Sequence, residues 1–385
     1  MMRIARFFYV LTLACLMHTL SGCAMSGGVM SSEAAPPRSA QYDIAIDWTF
    51  PLNPKTTFYL GAKPLELGHI AVTDNVTYIG SSLSKVVAIH NQKATKIWET
   101  ALGAPVTAGP VVTSSGVYVA LGDGAILKLD VSNGAIVWRY DTLVPIENSI
   151  AVQDGVVACV NGNNRLVVLN EKDGTVKWRR ERPRSSEFTM YGQSSPLIQD
   201  DVLYAGFSDG NLTAFALENG TVIWTRDLAP DARFKDLDVQ PVIMDNTLYV
   251  ANSSGGIYAL SVSDGHTLWQ RDIHGASSIV PHQDSLYLTS QDGVFRIDRM
   301  SGNTIWQNEI RRDALISPMQ LGRNYIYASV QRFGLVLIDR ATGETAHIID
   351  MGTDFTSAPV LTNGILTALS NRSTVYRLFV QDYPL

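Results

Sequence analysis

Seven tryptophans set the rhythm of this chain. Trp48, Trp98, Trp138, Trp178, Trp224, Trp269 and Trp306 each stand near the end of a unit that recurs about every 40 residues. Four of the units read GVYVALGDGAILKLDVSNGAIVWRYD, DVLYAGFSDGNLTAFALENGTVIWTRD, NTLYVANSSGGIYALSVSDGHTLWQRD and DSLYLTSQDGVFRIDRMSGNTIWQNE. In each, an apolar strand pattern meets an Asp-Gly or Gly-Gly turn, a second strand follows, and an Asn, Asp or Ser before Gly turns the chain into the strand that carries Trp. A fourth strand is often opened by proline, as in GPVVTS, SSPLIQ, VQPVIM, SPMQL and APVLTN, where a missing backbone donor costs least. His347, four residues after Gly343, occupies the Trp position of ATGETAHIID.

Four short antiparallel strands at this period predict propeller blades. Strand pairs fall at 76–89, 117–129, 156–169, 203–215, 248–260, 286–297, 326–338 and 365–378, so the expected fold is all-β, an eight-bladed β-propeller of four-stranded antiparallel blades over residues 42–385. The last pair lacks a downstream Trp strand, while DIAIDWTF near the start has a Trp strand without preceding partners. Pairing the N-terminal strand with the C-terminal one closes the ring and removes its open edges. The turn-to-Trp segment, recurring as Gly-x-x-x-Trp and reading Asp-x-x-Ser-Gly-x-x-x-Trp in DRMSGNTIW, resembles the repeat of quinoprotein-type propellers, in which Trp docks between blades. That resemblance makes the seven Trp residues packing elements and not a cofactor cage, each worth roughly 3–5 kcal/mol on removal.

The N-terminus, MMRIARFFYVLTLACLMHTLSGCAMSGG, places Arg3 and Arg6 before an apolar stretch, the pattern of an export signal over residues 1–22. Leu20-Ser21-Gly22-Cys23 resembles a bacterial lipobox, which implies lipidation of Cys23. Ala24 in place of aspartate implies, by likeness to lipoprotein sorting in enteric bacteria, the outer membrane and its periplasmic side. Several acyl chains give stable attachment, and residues 23–41, rich in Gly, Ser, Ala and Pro, form a flexible tether. Beyond the signal no stretch is apolar enough to span a bilayer as a helix. A net charge of −6 without a long basic run argues against nucleic acid as a partner. Cys159, in the strand pattern GVVACVNG, is then the one thiol left, expected as a buried small hydrophobe.

No constellation for catalysis stands out. His266, His274 and His282 lack metal-ligand spacing, the Asp residues of GDG, SDG and QDG sit at tight turns, and the adjacent cysteines of quinone-dependent dehydrogenases are missing. The expectation is a non-enzymatic scaffold with no cofactor. Two other classes remain open: a ligand-binding or envelope sensor module, and a quinone-dependent dehydrogenase.

The rhythm breaks twice. Trp98 to Pro110, Trp306 to Pro318 and His347 to Pro359 are each 12 residues apart, but Trp178 to Pro196 is 18 and Trp224 to Pro241 is 17. Longer connections from adjacent blades leave the same face of a rigid scaffold, a usual place for binding. In SSEFTMYGQSS, Phe188 and Met190 share a side if extended, with Tyr191 beside them; in PDARFKDLDVQP, Asp236 and Asp238 do likewise. An apolar cluster beside two carboxylates suits a protein partner. The lipobox, tether, eight blades and two long connections together resemble the BamB family of propeller lipoproteins in the outer-membrane β-barrel assembly machinery (the Bam complex). The resemblance implies that Phe188, Met190, Tyr191 and Gly192 of the first connection, and Asp236, Asp238 and Pro241 of the second, bind the periplasmic POTRA domains of BamA. Tyr191 departs from the family, which has arginine there. Unfolded outer-membrane proteins are a further expected partner, through β-augmentation at blade edges.

Overall fold

The computed structural model describes residues 44–382 apart from 54–65, 67, 147, 184–193, 230–234, 238, 253–254 and 311–313. The strands of these residues form eight sheets, each of four antiparallel strands. Seven blades use consecutive strands: blade 1 over 69–101, blade 2 over 106–141, blade 3 over 151–181, blade 4 over 197–227, blade 5 over 242–272, blade 6 over 278–308 and blade 7 over 320–349. Blade 8 takes three strands from 360–379 and its fourth, Ala45–Pro51, from the other end of the chain. The expected eight-bladed propeller and its closure are both present.

Burial explains why the strands read as they do. The two middle strands of each blade are covered on both faces by neighbouring blades, so Val156–Asn161 and Gly116–Leu121 are buried at every position and appear as unbroken apolar runs. The fourth strand lies at the rim and buries little beyond its Trp: Val176–Glu181 shields Trp178 while its neighbours are exposed. Prolines immediately precede the first strand of blades 4, 5 and 8, as expected, but Pro110 lies inside Val106–Thr113, at a break in register between Ala108 and Val111. A bulge there spares the ladder the missing N–H.

Each Trp joins its blade to the next. The indole N–H of Trp178 donates to Leu217 O at 2.8 Å, in the turn between the third and fourth strands of blade 4. Trp98, Trp138, Trp224, Trp269 and Trp306 donate likewise to Val131, Glu171, Val262, Arg299 and Arg340 carbonyls, and Trp48 to Asn91 O at 2.7 Å. The turn glycine must lie flat under the ring: Gly220 has φ +70°, and a Cβ there would fall 2.6 Å from Trp178 Cε3. His347 has a physical explanation. The blade beyond it is blade 8, whose third strand Thr374–Phe379 and fourth strand Ala45–Pro51 are not joined by such a turn.

Ring closure is reinforced by buried charge. Arg377 Nη1 donates to Asp47 Oδ2 at 2.8 Å and to Asn91 O at 2.7 Å. Glu66, 1% exposed, accepts from Gly68 N, Ser82 N, Ser81 Oγ and, across the seam, Ser373 Oγ at 2.9 Å.

Candidate functional site

Strand alternation sorts the connections by face. Turns between second and third strands share one face with the connections between blades, as the Arg182 N–H donating to Asn164 O and Leu228 N–H to Gly210 O show. The described ends of the two long connections, after blades 3 and 4, therefore lie on this same face at adjacent blades.

The first leaves blade 3 under tight restraint. Arg182 Nε donates to Asp209 Oδ2 of blade 4 at 2.8 Å, and its guanidinium lies 5.5 Å over the Phe207 ring. Asn164, at φ +56°, accepts from Ser208 N and Oγ through its side-chain oxygen and donates to Pro183 O. An Asn at this left-handed position combines a turn with a link across blades, which explains its burial. The second connection leaves blade 4 through Leu228, whose carbonyl accepts from Tyr258 OH at 2.6 Å and Asn252 Nδ2 at 2.9 Å.

The connections meet where they return to the ring. Ser194 Oγ donates to Val239 O at 2.9 Å, and Gln240 Nε2 to Pro196 O at 3.3 Å. Both cross the end of strand Val202–Gly206: a Cβ on Gly206 would lie 2.7 Å from Ser194 Cβ and 2.8 Å from Leu237 Cβ. Leu237 is fully buried and its N–H approaches Phe207 O at 3.4 Å. The result is a packed platform shared by two blades.

Of the residues singled out from sequence, Asp236 and Pro241 lie in this platform, both buried, Asp236 at 2% exposure. Phe188, Met190, Tyr191, Gly192, Asp238 and Cys23 lie outside the described residues. The sequence reading missed Leu237, Phe207, Ser194 and the Arg182–Asp209 pair. Phe207 carried a faint signal, a large aromatic in AGFSDG where most units have a small or polar residue. Elsewhere, Cys159 is fully buried and desolvation pushes its thiol up to about 12, so it packs as a small hydrophobe. His266 pairs with Asp264 in an exposed turn at 2.8 Å, His274 packs beside Gly255, and His282 ends a strand of blade 6. No helix among the described residues is long and apolar enough to cross a membrane.

Comparison with known proteins adds a family. The model described as outer membrane protein assembly factor BamB matches residues 48–308. Similar curated proteins include the outer membrane protein assembly factor BamB of Yersinia pestis, 26% identical over 192 residues, covering 47% of this chain and 49% of that protein. That of Legionella pneumophila is 26% identical over 198 residues, covering 51% and 50%. The chain spans about half the length of the curated relatives it matches. Among solved structures, BamB from Moraxella catarrhalis superposes with a TM-score of 0.73 at 18% identity, covering 87% of this chain and 97% of that one. Quinohemoprotein alcohol dehydrogenase from Comamonas testosteroni reaches 0.71 at 14%, covering 88% and 77%. At these identities the structural likenesses show the fold alone.

Proposed function

This chain belongs to the family of the outer membrane protein assembly factor BamB, and from that premise we propose that it is a non-enzymatic scaffold subunit of the machinery that assembles β-barrel proteins into the outer membrane. In this reading Cys23 is lipidated and holds the propeller on the periplasmic side of that membrane, with 23–41 as the tether. The partner is BamA, whose POTRA domains dock where the two long connections emerge. The observation that supports this most is their side-by-side anchoring, Ser194 to Val239 and both across Gly206. A rigid base under two adjacent segments holds a binding constellation in place before the partner arrives.

The roles divide by burial. Asp236 and Pro241, already packed, hold the second segment in position. Phe188, Met190, Tyr191, Gly192 and Asp238 supply the contacts, apolar anchors beside a carboxylate. Unfolded clients are a second class of partner: the rim strands expose Ile97, Val137, Ile223, Leu268 and Ile305, each about half accessible beside its Trp, and apolar strand rims suit extended chains.

Titration of the full chain with the POTRA domains of the same organism's BamA tests the reading. Wild type is expected to bind, and the Met190→Ala, Asp238→Ala double variant to bind at least tenfold more weakly, about 1.4 kcal/mol. Unchanged binding by the variant moves the site elsewhere. Absence of binding by folded wild type removes the assembly role.

A further inference from the structure

On the face opposite the two long connections, the crevices between blades follow one plan. Each is bordered by a third-strand residue and first-turn residues of one blade, and by a residue in the third-to-fourth-strand turn of the next. Between blades 2 and 3 these include Lys128, Ser115 and Glu171. The Glu171 carboxylate accepts from Tyr118 OH at 2.7 Å and from the Ser115 hydroxyl, while Lys128 lies 5.5 Å from the Tyr118 ring and donates to Glu171 O. One cation meets one anion.

Between blades 5 and 6 the same balance is reached differently. Arg299 stands at the repeat position of Glu171, and the carboxylate comes from the first turn: Arg299 Nη2 donates to Asp245 Oδ2 at 2.8 Å and Nε to Gln283 O. The third-strand residue across from Tyr249 is Ala259. Charge again cancels.

Between blades 6 and 7 both cationic positions are occupied and both anionic ones are not. Arg296, across from Tyr287 as Lys128 is from Tyr118, lies 5.8 Å from that ring and donates from Nε to Ser285 Oγ. Arg340 takes the position of Arg299 and Glu171, and Gln283 takes that of Asp245. Among the described residues neither Arg296 nor Arg340 pairs with a carboxylate; Arg340 Nη1 is buried with no hydrogen-bond partner, as is His282 Nε2. Two carboxylates border the space. Asp284 is exposed, and Asp339 Oδ1 accepts from the Ala341 and Thr342 N–H groups, committing it to its own turn. Between these side chains is a cavity of about 330 Å³, within the range of small-molecule sites.

We propose that the crevice between blades 6 and 7 binds a small carboxylate, held by Arg340 and Arg296 in the place that a side-chain carboxylate fills elsewhere, Glu171 between blades 2 and 3 and Asp245 between blades 5 and 6. A buried guanidinium nitrogen without a partner is costly, and a planar carboxylate supplies the geometry it matches. Binding by the native fold alone stabilises it.

Thermal unfolding of the detergent-solubilised full chain in sodium succinate, against sodium chloride at equal ionic strength, tests this. Succinate is expected to raise the Tm of wild type with saturation at millimolar concentration. Arg340→Gln is expected to lose that response. Gln283→Asp, an exposed position, is expected to lose it too while melting higher than wild type in chloride, because it restores in cis the carboxylate that Asp245 gives Arg299. No saturable shift in wild type overturns the proposal. So does an equal shift in both variants, the result that general exclusion of succinate from protein surfaces gives.

Discussion

Gly155 and Gly220 have nearly the same backbone and opposite surroundings. Both are left-handed, at φ +74° and φ +70°, but a Cβ on Gly155 would meet nothing within 4 Å, whereas on Gly220 it would press into the Trp178 ring. Gly155→Ala is therefore expected to cost about 1–2 kcal/mol, the conformational strain alone. Gly220→Ala adds overpacking at an interblade joint, roughly 3–4 kcal/mol in total. Urea denaturation of the two variants checks the difference, and equal costs would show that the joint yields. Blade 1 marks the limit of the rule: Ala94 takes the turn position at φ +51°, and the Trp48 that docks on this blade is less buried than Trp178. These joints were legible in the sequence because the steric demand of an indole over a turn forces Gly and Trp into fixed register. Asp236 was not. Placing Asp236 and Asp238 on one side assumed strand-like alternation, but Asp236, Leu237 and Val239 are all buried, in a connection that meets its neighbour through Val239 and Ser194, a contact that no local pattern encodes.

At the scale of elements, what decided legibility was whether a strand's environment repeats. Middle strands are covered on both faces in every blade and announce themselves as apolar runs; rim strands announce themselves by Trp. The seam between blades 8 and 1 has no counterpart elsewhere, and its main device, Glu66, lies in no repeat unit. Its carboxylate satisfies two backbone N–H groups and two serine hydroxyls in a buried site. Glu66→Ala leaves those donors without a partner, each a desolvation penalty of about 1–3 kcal/mol partly relieved by water, and is expected to lower stability by about 3 kcal/mol. Chemical denaturation measures this; a loss below 1 kcal/mol would show that water replaces the carboxylate freely. The two long connections belong with the seam. Their lengths were visible as departures from a 12-residue step, while their mutual anchoring through Ser194 and Val239 arises from residues 45 positions apart.

For the whole molecule, closure governs cooperativity. Six Trp joints pass from blade to blade between blades 1 and 7, and the strand Ala45–Pro51 adds the seventh, Trp48, together with Asp47, between blades 8 and 1. Removing residues 1–51 leaves blade 8 with three strands and an open edge on Thr374–Phe379. Such a chain is expected to unfold at lower denaturant with a shallower transition and to self-associate through that edge; light scattering and denaturation check both, and an unchanged monomeric transition would show the closing strand to be dispensable. The sequence alone determined the blade count, strand order, Trp joints and closure, because each is a local demand of turn, pleat or aromatic volume stated again in every repeat. Only the tertiary structure decided which side chains meet across blades. The seating of both long connections on Gly206, the burial of Asp236 and the two unneutralised arginines between blades 6 and 7 depend on positions dozens of residues apart, and the energy of such contacts comes from desolvation and packing that exist only once the ring has formed.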